Sequence, residues 1–522
     1  MRPASLHISK RLSRSFSSIP LRREELIRSS SLLTRASQGA AQTAESRPLL
    51  LGADSCRLGA RELVKREERT GGLLSVDLSR WFSSAVASEE MSENADDKSL
   101  GAQMWAAAKD MEVLNDAEED MSEDEDVEAE VRTNLKPLTL PAEDVATLRE
   151  AVRRFAEEEI RPKVQAMDEA GTIDPDIIKS LFKQGYLSLE VDQKYGGSGM
   201  PFFNSLVVME EISRVDPAVG TLVDIHNTLI NRALMLYGTD EQKAKYLPQL
   251  ASNTLGSFCL SESESGSDAF ALKATARRSE NGDAWVLQGT KQWISTAREA
   301  GLFLIFASYD LNEGYRGITA FLVDAGTPGL KVGRPLDKLG IKASSTCEVV
   351  LNDVQVPDSC VLGEVGEGYK VAMRLLNEGR IGIAAQMLGL AKGALDRAMQ
   401  YINDRRQFGQ RVADFQGVRF QFAQLATEIE AAHLLTYNAA LLREAGVPFA
   451  KEAAMAKLKT SQVAQQVASA AVDFLGGNGF TKDFGVEKLY RDSKIGTIYE
   501  GTTNMQLHTI AKMMQKNYEN MK

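Results

Sequence analysis

The chain has 522 residues, of which 43% are hydrophobic, so it can bury several cores and more than one domain is predicted. It contains no run of eighteen apolar residues, so no membrane-spanning helix is expected. Its four cysteines form no Cys-x-x-Cys pair and its four histidines lack metal-ligand spacing. Neither a disulfide framework nor a metal site is therefore predicted.

The net charge of -11 is concentrated in one segment of the chain. Residues 89–131 contain seventeen Asp or Glu against two Lys. Such a segment repels itself and has little to bury, so residues 36–136 are predicted to form a disordered acidic extension or linker. No basic patch is interleaved with aromatic residues, so no nucleic-acid partner is predicted.

The N-terminus has the composition of a targeting segment. Its first 23 residues contain six Arg or Lys, no acidic residue, and a run of serines around Phe16. Residues 1–35 are therefore predicted to be a mitochondrial transit peptide, which would send the protein to the mitochondrial matrix. A disordered basic tail is the alternative.

Hydrophobic periodicity divides the rest of the chain into three parts. A helical period that begins at Val145 predicts an all-helical domain over residues 137–255. Thr239 and Gln242 are spaced as a helix capping box within it.

Strand patterns at 302–307, 318–323 and 346–351, separated by glycine-containing turns, predict a middle β-strand domain over residues 256–365. The helical period then returns and predicts a four-helix-type bundle over residues 366–522. The predicted fold class is an α+β multi-domain protein.

The segment 498–504, Ile-Tyr-Glu-Gly-Thr-Thr-Asn, precedes the last predicted helix. Its apolar residues would desolvate the carboxylate of Glu500, raise its pKa and make it a better proton acceptor. Gly501 would let the backbone approach a ligand, and polar side chains follow it: Thr502, Thr503 and Asn504. The same Thr and Asn residues are typical of a helix N-terminus, so this segment by itself leaves both interpretations open.

Further motifs follow one another along the chain. Residues 259–268 read Cys-Leu-Ser-Glu-Ser-Glu-Ser-Gly-Ser-Asp, and residues 293–295 read Trp-Ile-Ser. Residues 377–380 read Asn-Glu-Gly-Arg, residues 405–409 read Arg-Arg-Gln-Phe-Gly, and residues 473–477 read Asp-Phe-Leu-Gly-Gly. With the order of helical, strand and helical domains, these motifs resemble those of the acyl-CoA dehydrogenase family, a group of FAD enzymes, over about residues 137–515. The similarity is strongest to its short/branched-chain members.

The resemblance implies a set of ligand contacts. FAD contacts are implied for Leu260, Ser261, Gly266, Ser267, Trp293, Ile294, Ser295, Arg405, Gln416, Asp473, Gly476, Gly477, Thr502, Thr503 and Asn504. Acyl-CoA contacts are implied for Ser267, Tyr315, Tyr369, Asn377, Glu378, Gly379, Arg380 and Gly501. In the family the 405–416 and 473–477 segments reach FAD across a subunit boundary, which implies a homo-oligomer, commonly a tetramer.

The resemblance also assigns the catalytic base. Family members that take the base from the 377–380 helix have Glu immediately before Arg, but here Gly379 stands before Arg380. Glu378 is one residue away, about a hundred degrees around a helix, and should point elsewhere. The base therefore falls to Glu500.

The implied reaction is the α,β-desaturation of a short or 2-methyl-branched acyl-CoA to a 2-enoyl-CoA, as in branched-chain amino acid and fatty acid catabolism. Electrons would then pass to electron-transfer flavoprotein. Two alternatives remain: an acyl-CoA oxidase that uses oxygen, and a scaffold or assembly role, for which the acidic extension leaves room. A nicotinamide-dependent oxidoreductase is not predicted, because no Gly-x-Gly-x-x-Gly turn lies between a strand and a helix.

Overall fold

The computed structural model describes residues 143–520, so the predicted transit peptide and the predicted acidic extension lie outside the described residues. The first part of the described chain is helical. Its helices are α1 Glu143–Phe155, α2 Val164–Ala170, α3 Pro175–Lys183, α4 Phe202–Ser213, α5 Pro217–Asp224, α6 Arg232–Tyr237 and α7 Asp240–Ser252. Between α5 and α6 the helix widens into a π-helical segment, Ile225–Asn231.

The capping box predicted before α7 is present. Thr239 Oγ1 accepts from the Gln242 backbone N at 3.2 Å, and the Gln242 side chain accepts from the Thr239 N at 3.0 Å. These reciprocal bonds satisfy two backbone donors that a helix start would otherwise leave unpaired. They fix where the chain enters the last helix before the sheet.

The middle of the chain forms one mixed sheet. Its strands are β1 Leu255–Cys259, β2 Thr275–Arg278, β3 Ala284–Ser295, β4 Ala300–Ser308, β5 Ile318–Asp324, β6 Leu330–Val332, β7 Thr346–Pro357 and β8 Val361–Leu362. The strand order is β6-β7-β3-β2-β4-β5-β8, and β1 pairs with β4. β4 is parallel to β1 and β2, while the other pairings are antiparallel.

The last part of the described chain is a helical bundle. Its helices are α8 Gly368–Asp404, α9 Gln416–Glu444, α10 Ala450–Leu475, α11 Val486–Ser493 and α12 Thr503–Asn520. A short hairpin of β9 Arg406–Gln407 and β10 Gln410–Arg411 joins α8 to α9. α10 packs against α8, α9 and α12. The α+β fold class predicted from the sequence, with a helical, a strand and a helical part, is confirmed.

The two helical parts share one hydrophobic core, because α8 packs directly on α4. Small residues permit this approach: a Cβ atom built at Gly389 would lie 2.1 Å from the Glu210 carbonyl oxygen, and one at Gly393 would lie 2.1 Å from that of Arg214. Any larger residue at these positions would force the helices apart. This close packing brings the face of α8 that carries Gly379 and Gly382 against the π-helical segment.

Within residues 143–520 no helix is long and apolar enough to cross a membrane. His226 is buried, and its Nε2 lies 2.9 Å from the Leu250 carbonyl oxygen. In the same range no group of three or more His, Cys, Asp or Glu side chains is arranged to hold a metal ion.

Candidate active site

The backbone turns sharply at Glu500, just before α12. Glu500 has φ of 49° and Gly501 has φ of 85°, so two successive residues adopt the left-handed region. A non-glycine residue rarely does so, and such strain persists only where the surrounding structure enforces it. Thr502 Oγ1 accepts from the Met505 N at 3.4 Å, so the segment is also a helix cap. The two sequence interpretations of this segment are compatible.

The carboxylate of Glu500 lies in an apolar, confined place. Its Oε2 atom is buried and has no hydrogen-bond partner, although the side chain as a whole is partly exposed. A Cβ atom built at Gly379 would lie 3.1 Å from that oxygen and 3.3 Å from a methyl group of Leu229. Burial raises the pKa of Glu500 to about 7, while Lys457 and then Arg380 oppose the increase. A carboxylate of this kind accepts a proton more strongly than an exposed one.

Glu378, a predicted acyl-CoA contact, is placed elsewhere by the structure. Its buried carboxylate lies 2.9 Å from Arg232 Nε, 2.7 Å from Arg443 Nη2 and 3.4 Å from Arg374 Nε. The one-residue offset from Gly379 along α8 has the effect expected from helix geometry. Glu378 is thus a member of a buried ion cluster and does not share the surroundings of Glu500.

Arg380 and Asn377 lie one turn apart on α8. Arg380 is buried, and its Nη1 donates to Asn377 Oδ1 at 2.8 Å. This bond fixes the direction of the guanidinium, which contributes positive charge near the Glu500 carboxylate. Arg380 therefore favours the ionised form of Glu500.

Two buried tyrosines, predicted to line the acyl-CoA site, pack against each other. The rings of Tyr315 and Tyr369 are 4.7 Å apart in an edge-to-face arrangement. Phe270 meets Tyr369 at 6.4 Å in the same manner. The Tyr315 hydroxyl is buried and has no hydrogen-bond partner in the described chain. The three rings form an apolar wall in which the Tyr315 hydroxyl is available to a ligand. This combination is typical of a small-molecule site.

The 259–268 loop is held from behind by a buried ion pair that the sequence interpretation missed. Lys291 Nζ donates to Glu262 Oε1 at 2.6 Å and to the Leu260 carbonyl at 3.0 Å. Glu262 also accepts from the backbone N atoms of Lys273 and Ala274. These bonds fix the loop while Gly266, with no neighbour within 4 Å of a built Cβ atom, and Ser267 stay exposed. The sequence signal for this ion pair was the position of Glu262 within the 259–268 motif.

Trp293 stands out at the end of β3. Its side chain is 63% exposed and its φ is 61°. The β3–β7 register shifts between Lys291 and Ile294, so a bulge turns Trp293 out of the sheet. Ile294 instead packs in the strand core, and the Ser295 carbonyl accepts from the Ser257 hydroxyl at 2.9 Å. A large aromatic face offered to solvent from strained backbone is suited to stacking against a planar ligand.

A third group of predicted residues lies at the far end of α8 and α10. Asn478 Nδ2 donates to Tyr401 Oη at 2.9 Å, which ties the loop after α10 to α8. The predicted FAD contacts of this region are all exposed: Arg405, Gln416, Asp473, Gly476 and Gly477. Their charged and amide groups are available to a ligand or to a second copy of the chain. Thr502, Thr503 and Asn504 belong to another segment, at the start of α12.

These donors fit FAD. The small-residue loop offers backbone and hydroxyl groups, Trp293 offers an aromatic face, and Arg405 offers the planar guanidinium that suits a phosphate. No metal-like cluster competes for this chemistry in residues 143–520.

Three family models match the described chain. They are the acyl-CoA dehydrogenase N-terminal domain over residues 142–254, the middle domain over residues 257–354, and the C-terminal domain over residues 366–515.

The chain belongs to the acyl-CoA dehydrogenase family.

Individual relatives agree with the family models. The chain is 52% identical over 384 residues to a probable short/branched chain specific acyl-CoA dehydrogenase of Dictyostelium discoideum, covering 74% of this chain and 93% of the relative. It is also 52% identical over 384 residues to the mitochondrial short/branched chain enzyme of Bos taurus, covering 74% and 88%. The acyl-CoA dehydrogenase family is a flavoprotein family that acts on acyl-CoA, so this chain is an FAD-dependent oxidoreductase.

Solved structures agree as well. Butyryl-CoA dehydrogenase from Megasphaera elsdenii superposes with a TM-score of 0.71 at 36% identity, covering 73% of this chain and all of that one. A glutaryl-CoA dehydrogenase from Mycobacterium smegmatis, solved with FADH2, gives a TM-score of 0.68 at 28% identity, covering 71% and 94%.

Proposed function

We propose that this enzyme desaturates short and 2-methyl-branched acyl-CoA thioesters between carbons two and three, with Glu500 as the base. One observation carries the proposal: the buried, unpartnered Oε2 of Glu500 faces the space beside Gly379 and Leu229. A carboxylate with a pKa near 7 in an apolar site is suited to remove a proton from carbon two. The branched-chain relatives support the substrate class.

In the proposed mechanism each group has a separate role. A bound FAD would supply the acceptor for the hydride that leaves carbon three. Glu500 takes the proton from carbon two, and Arg380 helps to keep its carboxylate ionised until it does so. The backbone N–H of Glu500 donates to the thioester oxygen and stabilises the enolate-like charge that develops there. Removal of such a donor costs about 3 to 4 kcal/mol in other enzymes, so its position matters as much as the base does.

The acyl chain is proposed to lie along the wall formed by Tyr315, Tyr369 and Leu229. Gly379 leaves room for a methyl branch beside the base, since it has no side chain. Leu229 then limits the depth beyond it. Because one methylene changes binding by about 1 to 3 kcal/mol, we expect a preference among short acyl groups rather than absolute specificity.

We further propose that the reduced enzyme passes its electrons to electron-transfer flavoprotein in the mitochondrial matrix and takes part in isoleucine and other branched-chain catabolism. The mitochondrial relative of Bos taurus supports this location. The exposed groups around Arg405 and Asp473 support a homo-tetramer in which each copy completes the FAD site of a neighbour. Sedimentation of the FAD-loaded protein would test the assembly.

The substrate proposal is tested by anaerobic titration of the full chain, following the flavin absorbance. 2-Methylbutyryl-CoA, isobutyryl-CoA and butyryl-CoA should bleach the flavin, whereas palmitoyl-CoA should not. If palmitoyl-CoA bleaches it equally well, the short-chain assignment is wrong. Turnover with oxygen as the sole acceptor, with peroxide formed, would instead identify an oxidase.

A further inference from the structure

Two buried polar side chains hold the strained turn at Glu500. Lys457 Nζ, from the second turn of α10, donates to the Gly501 carbonyl at 2.5 Å. Gln506 Nε2, from the first turns of α12, donates to the Glu500 carbonyl at 3.0 Å and to the Gly501 carbonyl at 2.9 Å. Lys457 is 1% exposed and Gln506 is 0% exposed. Three hydrogen bonds from these two side chains therefore keep two residues at positive φ.

Lys457 differs from Gln506 because it brings a charge into the interior. A buried ammonium is costly unless an anion compensates it. The Gly501 carbonyl is neutral, and the carboxylate that acts on Lys457 is that of Glu500. Burial lowers the pKa of Lys457 to about 7, and Glu500 opposes that decrease while Arg380 adds to it.

The other ionisable groups around Glu500 come from separate elements. Arg380 on α8 contributes a second cation, and Asp224 at the end of α5 contributes a second carboxyl. Burial, followed by the charge of Glu500, raises the pKa of Asp224 well above its usual value, which favours its neutral form. The Tyr499 hydroxyl bonds to Gln386 and has a pKa raised well above its usual value by burial, so it stays neutral. The ionised Glu500 thus has the Arg380 guanidinium and, while it is protonated, the Lys457 ammonium as its cationic neighbours.

We propose that Lys457 is a positioning residue for the catalytic base, because it both clamps the Glu500–Gly501 turn and stabilises the ionised carboxylate with its ammonium group. This inference rests on the proposed role of Glu500. Gln506 also clamps the turn, but it has no charge with which to stabilise the carboxylate. The two side chains therefore form a matched pair in which clamping and charge can be separated by substitution.

The test uses the full chain loaded with FAD and a substrate analogue that isolates proton removal. 3-Thiabutyryl-CoA has protons on carbon two but sulfur at position three, so it can exchange its α protons and cannot lose a hydride. The rate of α-proton exchange in D2O is measured against pH for the wild type, Lys457→Gln, Lys457→Arg and Gln506→Leu, with an enzyme-free blank. Flavin content of each variant checks its folding, and Lys457→Met replaces Lys457→Gln if the latter retains no FAD.

Removal of the lysine charge should raise the pKa of Glu500. The midpoint of the exchange profile should therefore move to higher pH by about one unit in Lys457→Gln, and exchange at pH 7 should slow about fivefold. Lys457→Arg, which keeps the cation, should restore the midpoint. Gln506→Leu should slow exchange at every pH without moving the midpoint, since it weakens the clamp alone.

The inference is overturned if Lys457→Gln keeps the wild-type midpoint, or if Gln506→Leu moves it as far as Lys457→Gln does. Failure of the proposed function gives a different result. In that case Glu500→Gln would exchange α protons as fast as the wild type, and the role of Lys457 would fall with that of Glu500.

Discussion

Gly379 on α8 lies directly against the Glu500 carboxylate, since a Cβ atom built at Gly379 would be 3.1 Å from Oε2 of Glu500. A carboxylate side chain at position 379 of α8 would reach the same region as the side chain of Glu500, which comes from the loop before α12. The base could thus be supplied from either element without a change of fold.

This contact predicts that a glutamate at position 379 can replace Glu500 as the base. Glu500→Gly should abolish measurable flavin reduction, and the double variant Glu500→Gly with Gly379→Glu should recover part of it, because the new side chain enters the space that Glu500 leaves. Single-turnover bleaching with butyryl-CoA measures the recovery. Gly379→Glu alone should be inactive and should fold poorly, since two carboxyl groups would compete for one site. If the double variant is no more active than Glu500→Gly alone, a carboxylate at position 379 does not occupy the place of the Glu500 carboxylate.

Asp224 should make stability depend on pH. Its carboxyl is fully buried, Oδ1 accepts from Thr228 Oγ1 at 3.0 Å, and Oδ2 has no partner. A pKa raised by burial means that the contribution of the protonated group is complete below its ordinary value of 3.8 and is lost as pH rises towards the folded value. Asp224→Asn, which does not ionise, should therefore gain stability relative to the wild type as pH rises above about 4. Urea unfolding at several pH values measures this trend.

The exposed ring of Trp293 should matter for FAD and little for the fold. Trp293→Ala should increase FAD release by a factor of about 2 to 10, because an aromatic contact contributes ~0.5 to 1.5 kcal/mol beyond its area. Fluorescence of released FAD during dilution measures this. Leu339→Ala, whose side chain is 60% exposed on another loop, is the matched control and should leave FAD release unchanged. Identical behaviour of the two variants would remove Trp293 from the flavin site.

The Glu262–Lys291 pair should act as a unit. Lys291→Met alone should destabilise the protein by about 3 kcal/mol or more, since it leaves a buried carboxylate without its cation. Lys291→Met combined with Glu262→Gln should cost less than the sum of the two single changes. Urea unfolding of the three variants closes the cycle. Strict additivity would show that the pair does not hold the 259–268 loop.

The long, strongly patterned elements could be predicted from the sequence. β4, β5 and β7 all begin within a few residues of the apolar runs that predict them, and α8 and α10 follow the helical period. β2 could not be predicted in this way, because Thr-Ala-Arg-Arg has no strand pattern and becomes a strand by pairing with β3. Tertiary pairing decides such short elements.

The π-helical segment Ile225–Asn231 was also beyond local prediction. Asn227 Nδ2 donates to the Tyr186 carbonyl and Asn231 Nδ2 donates to the Leu187 carbonyl, at 2.9 and 2.8 Å. These partners lie some forty residues away in the chain. A helix that bonds to a distant loop in this way leaves no periodic signal in the sequence.

The candidate site was partly predictable. Glu500 stood out because apolar residues and glycine surround it in the sequence, and Gly379 stood out by its motif. Lys457, Gln506 and Asp224 did not, since each occupies an ordinary helical position. Lys457 and Asp224 approach Glu500 only when separate helices pack together. A buried charge within a helical stripe, such as Lys457 among the apolar residues of α10, was the one signal available.

The most direct test of the account is anaerobic rapid mixing of the FAD-loaded enzyme with 2-methylbutyryl-CoA, for the wild type and Glu500→Gln. The wild type should bleach its flavin. Glu500→Gln should bind FAD and the thioester yet bleach at least about a hundredfold more slowly, as expected when a general base is removed. If Glu500→Gln bleaches at the wild-type rate, Glu500 is not the base and the proposed mechanism is wrong.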